Sequence, residues 1–326
     1  MQNQAARIIS ALFLSSLPYR KGFLHRIKEN QKKFSITENP WDEPNNKKIL
    51  KTYYGKRWIE YGKRKALNYI EKKKSKFEFD SLLFFDEPEY PRLLKEIYDP
   101  PLVLFLKHSI QKENTNFNQY DMISIVGTRK PLSISLLAVD RLIEFFSLLK
   151  SSKKLISQLV EWNSHKDLFP QSTKTDNQSS TIATVSGFAK GVDERVHRAS
   201  VFFSVSTIGI LGCGIDEISP KKNKEIFFKA QEEKKEMIFI SEFFPTHKPG
   251  KYTFPLRNRI IAGFSNYLFI MQAGSKSGAL ITAEYALQEN REIICFDHPL
   301  FRNTKHNLGN QMLISDGAHQ LKIENL

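Results

Sequence analysis

Six short apolar runs limit what this chain can fold into. They are ISIV (123–126), TIATVS (181–186), TIGIL (207–211), MIFIS (237–241), YLFIM (267–271) and EIICF (292–296). Each is rich in Ile, Val or Phe and hardly alternates with polar residues, the pattern of strands covered on both faces. Stretches of helical composition fall between most of them, at 132–150, 190–203, 222–235 and 278–290. Strands alternating with helices build βαβ units and hence a parallel sheet. The expected fold class is α/β, a doubly wound and mostly parallel sheet with its ligands at the carboxyl ends of the strands.

The first 80 residues have a different rhythm. Apolar positions in IISALFLSSL (8–17) and in YYGKRWIEYGKRKALNYIEKKK (53–74) recur at three-to-four spacing, with basic residues between them. A polar link, ENPWDEPNN (38–46), separates the two blocks, and EKKKSK (71–76) ends the segment. The expected domains are therefore a basic helical one at 1–80 and the α/β one at 81–326. Residues 164–180, polar and without period, form a loop insertion in the second.

Charge divides the chain at the same place. Of the net +14, residues 1–80 hold 19 Lys+Arg against 8 Asp+Glu, a net of +11, and the remainder 30 against 27, a net of +3. Such an excess points to an anionic partner, either nucleic acid or an acidic membrane surface. No apolar run reaches the ~18 residues a membrane span needs. Residues 8–17 follow Arg7 but lead into PYRKG rather than a small-residue cleavage site, so they are read as a first helix of a cytoplasmic chain. Cys213 and Cys295, the only cysteines, are far apart in apolar stretches, which suits buried thiols in a reducing compartment.

The turns after the strands carry the polar chemistry. The first strand delivers Gly127, Thr128, Arg129 and Lys130, and the second Ser186, Gly187 and Lys190. The fourth leads through SEFFP to Arg257, Asn258 and Arg259, and the fifth to Ser275, Lys276, Ser277 and Gly278. One sheet edge thus collects backbone N–H groups, hydroxyls and cations, the set that bound phosphates require. Arg257 and Arg259 stand near a helix start, where the dipole disfavours cations unless an anion compensates them.

Other chemistries find no support. There is no G-x-x-x-x-G-K-[ST], and the first strand does not lead into G-x-G-x-x-G, so neither a Walker nucleotide site nor a dinucleotide cofactor is expected. Asp193 and His197 sit four apart without a third suitably spaced ligand, which favours capping and a polar contact over a metal. No Ser-His-Asp or Cys-His arrangement presents itself.

The ordered series DEPEYPRLLKEIYDPPLVLFLK, IVGTRKP, VSGFAKGVDERVHRA, TIGILGCGID, ISEFFP, FPLRNRIIAGFS, SKSGALITAEYAL and NLGNQMLISDGA resembles the DNA-processing protein A family (DprA/Smf) over about 86–320. The resemblance implies an extended Rossmann-like fold preceded by a small SAM-like helical domain. It also implies a cytoplasmic homodimer that binds single-stranded DNA without sequence preference in natural transformation, protects incoming DNA and loads the RecA recombinase onto it. No catalytic role, cofactor or membrane partner is implied. In the family pattern the DNA pocket uses the Arg of the first turn, here Arg129, and the basic residue of the S-G-x-A-[KR]-G turn, here Lys190. FPLRNR and SKSG fall in the same pocket by position.

The chain departs from that pattern at Ile134 and Ser135, at Ser219, and at Asp297, His298 and Pro299. In the expected mechanism phosphates dock on the loop N–H groups and on Arg129, Lys190, Arg257 and Arg259. Four such contacts give a log–log salt slope near −3 on a single strand. Phe188, Phe243 and Phe244 are available either to base stacking or to the core. Two alternatives remain. One is a nucleoside monophosphate phosphoribohydrolase-like enzyme using the 273–284 loop with Glu284, although that loop lacks the Pro-Gly-Gly run of such enzymes. The other is an interaction protein that keeps the fold without DNA affinity.

Overall fold

The computed structural model describes residues 2–19, 21–23, 44–74, 76–111, 115–149, 155, 159, 182–302 and 304–323. The 164–180 segment and most of the 38–46 link lie outside the described residues. Among the described residues the chain opens with the helices α1 (Gln2–Ser16) and α2 (Pro44–Lys73). Next are β1 (Ser81–Phe84), α3 (Arg92–Glu96), β2 (Val103–His108) and β3 (Asp121–Val126). Then follow α4 (Ser133–Leu148), β4 (Ile182–Ser186), α5 (Val192–Phe202) and β5 (Ser206–Ile210). The series continues with α6 (Lys224–Glu232), β6 (Met237–Ser241), α7 (Thr253–Gly263) and β7 (Tyr267–Ile270). It closes with α8 (Gly278–Gln288), β8 (Glu292–Phe296), α9 (Leu308–Ser315) and β9 (His319–Leu321).

The strands form one sheet of order β1-β2-β6-β5-β4-β3-β7-β8-β9. β3 to β9 are parallel to their neighbours, whereas β1 and β2 add an antiparallel edge beside β6. This is the α/β, mostly parallel fold that the apolar runs lead one to expect, and those six runs are β3 to β8. Successive strands run outward from β3 to β6 on one side, then from β7 to β9 on the other. The winding reverses between β3 and β7, and a crevice opens at that point in sheets of this kind.

Both faces are covered, which is why the runs do not alternate. On β3, Ile123 and Ile125 pack with Val139, Leu142 and Phe146 of α4, while Met122 and Val126 pack with Ile260 and Ile261 of α7. A third cluster joins the amino-terminal helices to the antiparallel edge: Leu12 and Phe13 of α1 and Leu50 and Tyr69 of α2 meet Phe84, Val103 and Phe105. The end of α2 is tied down by Asp216, which accepts a hydrogen bond from the Tyr69 hydroxyl at 3.0 Å and lies 2.9 Å from the Lys73 ammonium. Gly55 breaks α2 with φ 77° and ψ 161°, backbone that a side chain would strain, so α2 is two helical pieces across a kink.

Candidate nucleic-acid interface

At the switch point lies a cavity of about 910 Å³. Its walls are the turn after β3 (127–130), the start of α5 at Asp193, and the segment 249–251 ahead of α7. Phe254, Arg257 and Asn258 of α7 and the residues 277–279 that open α8 complete it. Ser277 caps α8 by accepting the Ala279 N–H at 3.3 Å, and the positive end of this helix faces the cavity beside the open Gly278. The Asn258 side chain donates to the Gly278 carbonyl at 3.4 Å and joins α7 to α8 there.

The β3 turn is held from two sides. The Thr128 N–H donates to the Gln272 carbonyl after β7 at 2.8 Å, and the Thr128 carbonyl accepts the Val192 N–H at 3.2 Å. The Thr128 hydroxyl accepts the Lys130 N–H at 3.2 Å. Gly191, with φ 84°, lets the α5 turn press against this backbone, since a Cβ there would lie 2.9 Å from the Arg129 Cα. The anchored turn projects Arg129 and Lys130 outward, both exposed. The Arg129 guanidinium lies 5.6 Å from the Phe254 ring centroid, a cation–π arrangement. Lys251, exposed on the opposite wall, adds a third cation.

The floor holds two buried groups of opposite charge, Arg257 and Asp193. Arg257, 3% exposed, donates to the Ile210 carbonyl at the end of β5 at 2.6 Å, while its Nε has no partner. Burial lowers its pKa to about 10 against the opposing attraction of Asp193. Asp193, also buried, accepts the Ala189 N–H at 3.3 Å, and burial raises its pKa although Arg257 pulls it down. Gly187 passes between the two: a Cβ there would come 2.6 Å from an Asp193 carboxylate oxygen and closer still to the guanidinium. No other residue fits that gap without displacing the pair.

The remaining sequence candidates are placed differently. Arg259 is turned away from the cavity and is 5% exposed. Its two terminal nitrogens donate to Glu242 at 2.6 Å each, and its Nε donates to the Asp99 carbonyl at 2.9 Å. The anion that compensates Arg259 is thus Glu242, and that for Arg257 is Asp193, both from the chain itself. Ser186 is buried with its hydroxyl donating to the Ile125 carbonyl at 2.7 Å, so it braces β4 against β3. Lys190, Ser275 and Lys276 are exposed outside the cavity walls, and Lys190 directly precedes the Gly191 contact with the Arg129 backbone. Phe188 and Phe244 are buried in the core, and Phe243 stacks on His247 away from the cavity. The aromatic that does line it is Phe254, which nothing in the spacing of the turns singled out. Glu284 is exposed and also outside the walls.

Of the departures from the family pattern, only Ser219 lines the cavity. Ser135 is buried inside α4, where its hydroxyl donates to Gln272 at 2.8 Å, and Ile134 packs on the core beside it. The buried Asp297 accepts from Arg302 at 2.7 Å and from Gln311 at 2.9 Å, which fixes the β8 end of the sheet. His197, buried with its Nδ1 2.8 Å from the Thr207 hydroxyl, is not near a ligand set. Among the described residues no group of three or more His, Cys, Asp or Glu could hold a metal ion, and no helix is long and apolar enough to cross a membrane.

Comparison with known proteins agrees with this architecture. The family model described as DNA recombination-mediator protein A matches residues 81–157 and 165–326. Protein Smf of Synechocystis is 31% identical over 304 residues, 92% of this chain and 67% of that protein. The DNA processing protein DprA of Bacillus subtilis is 34% identical over 213 residues, 65% of this chain and 59% of that protein. Among solved structures, DNA processing protein A from Streptococcus pneumoniae superposes with a TM-score of 0.67 at 23% identity, covering 98% of this chain and 94% of that one. DNA processing protein A from Helicobacter pylori, studied for its single-stranded DNA binding mode, gives 0.53 at 20% identity over 74% of this chain and 92% of that one. These structural likenesses concern the fold, and with the sequence matches they establish that the chain belongs to the DNA recombination-mediator protein A family, that of DprA and Smf.

Proposed function

We propose that the chain binds single-stranded DNA in the switch-point groove, without sequence readout, as a step in transformation or recombination. The observation that carries this reading is the exposed Arg129 held over Phe254 on an anchored turn, facing the open N-terminus of α8. A guanidinium in that position takes a phosphate, and the ring beneath it offers a stacking face to a base. Lys130 and Lys251 extend the cationic track along the walls, and Lys190 and Lys276 lie beyond them. The buried Arg257 adds positive potential from below, offset in part by the attraction of Asp193. Membership of the family supports the same reading, as does the single-strand binding mode named for the Helicobacter pylori relative.

Within this reading the bound strand is protected and passed to a RecA-type recombinase by a cytoplasmic homodimer, with the helices of residues 1–80 packed on the antiparallel edge of the sheet as its amino-terminal domain. No bond-breaking step belongs to it, and the exposed Glu284 outside the groove walls weighs against a hydrolase. The test is anisotropy titration of a labelled oligo-dT and of a blunt duplex at two salt concentrations. Tighter, salt-sensitive binding of the single strand supports the proposal; equal affinity for both, or none, overturns it.

A further inference from the structure

A second cavity, of about 480 Å³, lies beside the groove between α2 and the loop ahead of α7. The stretch 250–255 is the ridge between them: Lys251, Phe254 and Pro255 line the groove, whereas Tyr252 and Thr253 line the second cavity. Tyr252 stands on the ridge, 90% exposed.

The opposite wall is one face of α2 beyond its kink. Trp58, Tyr61 and Lys65 are spaced i, i+3 and i+7, which brings them to one side of the helix. The Trp58 and Tyr61 rings meet edge to face at 5.5 Å and remain 41% and 39% exposed. The Lys65 ammonium sits 4.1 Å from the Phe244 ring centroid and 5.8 Å from that of Tyr61. Among the described residues no carboxylate pairs with it, and burial lowers its pKa, as for a cation held without an anion. The polar groups at the floor are spent on one another: Glu242 holds Arg259, while Asp99 accepts from the Tyr19 hydroxyl and the Gly22 N–H. What the cavity offers a ligand is therefore its lining of accessible rings, Trp58, Tyr61 and Tyr252, together with Lys65, which belongs to the segment that carries a net +11.

That combination fits a polyanion with planar bases, and its position next to the groove fits the same strand continuing over the ridge. We propose that Trp58, Tyr61 and Lys65 of α2, with Tyr252, form a second contact for single-stranded DNA leaving the groove. The rings stack bases and Lys65 takes a phosphate. This inference rests on the groove reading above, and it gives the basic amino-terminal helices a direct part in holding the strand.

The test compares two oligo-dT strands on the full chain, one of about 6 nucleotides that fills the groove and one of about 30 that overruns it. In the variant carrying Trp58→Ala and Tyr61→Ala, affinity for the long strand is expected to fall roughly tenfold, with the short strand bound as before. Phe at both positions restores the long-strand affinity, because it keeps the stacking faces. A long strand with abasic outer sites is expected to bind the variant and the wild type alike. Unchanged long-strand affinity in the Ala variant, or an equal loss for both lengths, overturns the proposal. Arg129→Ala separates the two ideas, since it weakens both lengths if the groove reading holds and neither if that reading fails.

Discussion

Arg259 and Glu242 form a two-point ion pair, 2.6 Å at each hydrogen bond, with both side chains nearly closed off from solvent. Burial alone lowers an arginine pKa, yet Glu242 holds this one above the usual value. Removing one member leaves the other charge buried and unpaired, which destabilises by about 3–5 kcal/mol. Arg259→Ala is therefore expected to lower the thermal midpoint by several degrees while the folded protein binds a groove-length single strand with wild-type affinity. Selective loss of DNA binding at unchanged stability would show instead that Arg259 is a ligand contact.

His197 makes stability depend on pH. Burial first, and the nearby Arg257 second, lower its pKa from 6.5 to about 3. Between those values the unfolded chain takes a proton on His197 and the folded chain does not. Stability from this group is complete above pH 6.5 and is lost as pH falls toward 3, by an amount on the order of 5 kcal/mol. Thermal melts at pH 7.5 and 5 check this: the wild type should lose more on acidification than His197→Gln, and identical losses would contradict it.

The two cysteines should be inert in the native state. Both are free and fully buried, and burial pushes the Cys213 thiol up to about 11 and the Cys295 thiol up to about 12. A thiol reagent at pH 8 is expected to label neither within minutes and both in denaturant. Rapid labelling of the folded protein would place a thiol at the surface.

Ionic strength counts the phosphates. Arg257 and Arg259 have internal partners, so the cations free to release counterions on the groove walls are Arg129, Lys130 and Lys251, with Lys190 and Lys276 nearby. Three to five contacts give a log–log slope between about −2 and −3.5 for a single strand. A slope near zero in an anisotropy titration over several salt concentrations would exclude this cationic track.

Much of the fold was legible because strands buried on both faces are written as unbroken apolar runs, and β3 to β8 follow those runs within two residues. β9, reading HQL at the sheet margin, has no such signal, and β1 and β2 pair antiparallel around a five-residue helix, without a long helical stretch between them. The polar turns directly after the runs located the edge but not the direction of each side chain. Arg257 and Arg259 are two apart on α7, hence roughly 200° apart around the helix, and one groove cannot receive both. That rotation was readable from their spacing. Glu242 as the partner of Arg259 was not, since the pairing depends on how the β6 turn packs on α7. Phe254 precedes the arginine series at the start of α7, and only the folded β3 turn reveals that it lies under Arg129.

The most direct measurement is the single-stranded DNA affinity of Arg129→Ala against the wild type, read by anisotropy with a labelled oligo-dT at low salt. The side chain is exposed, so the fold is expected to survive its removal. A charge-assisted contact of roughly 1.5–3 kcal/mol is lost, and affinity should fall about tenfold or more. Wild-type affinity in the variant would contradict the groove as the place where the strand is held.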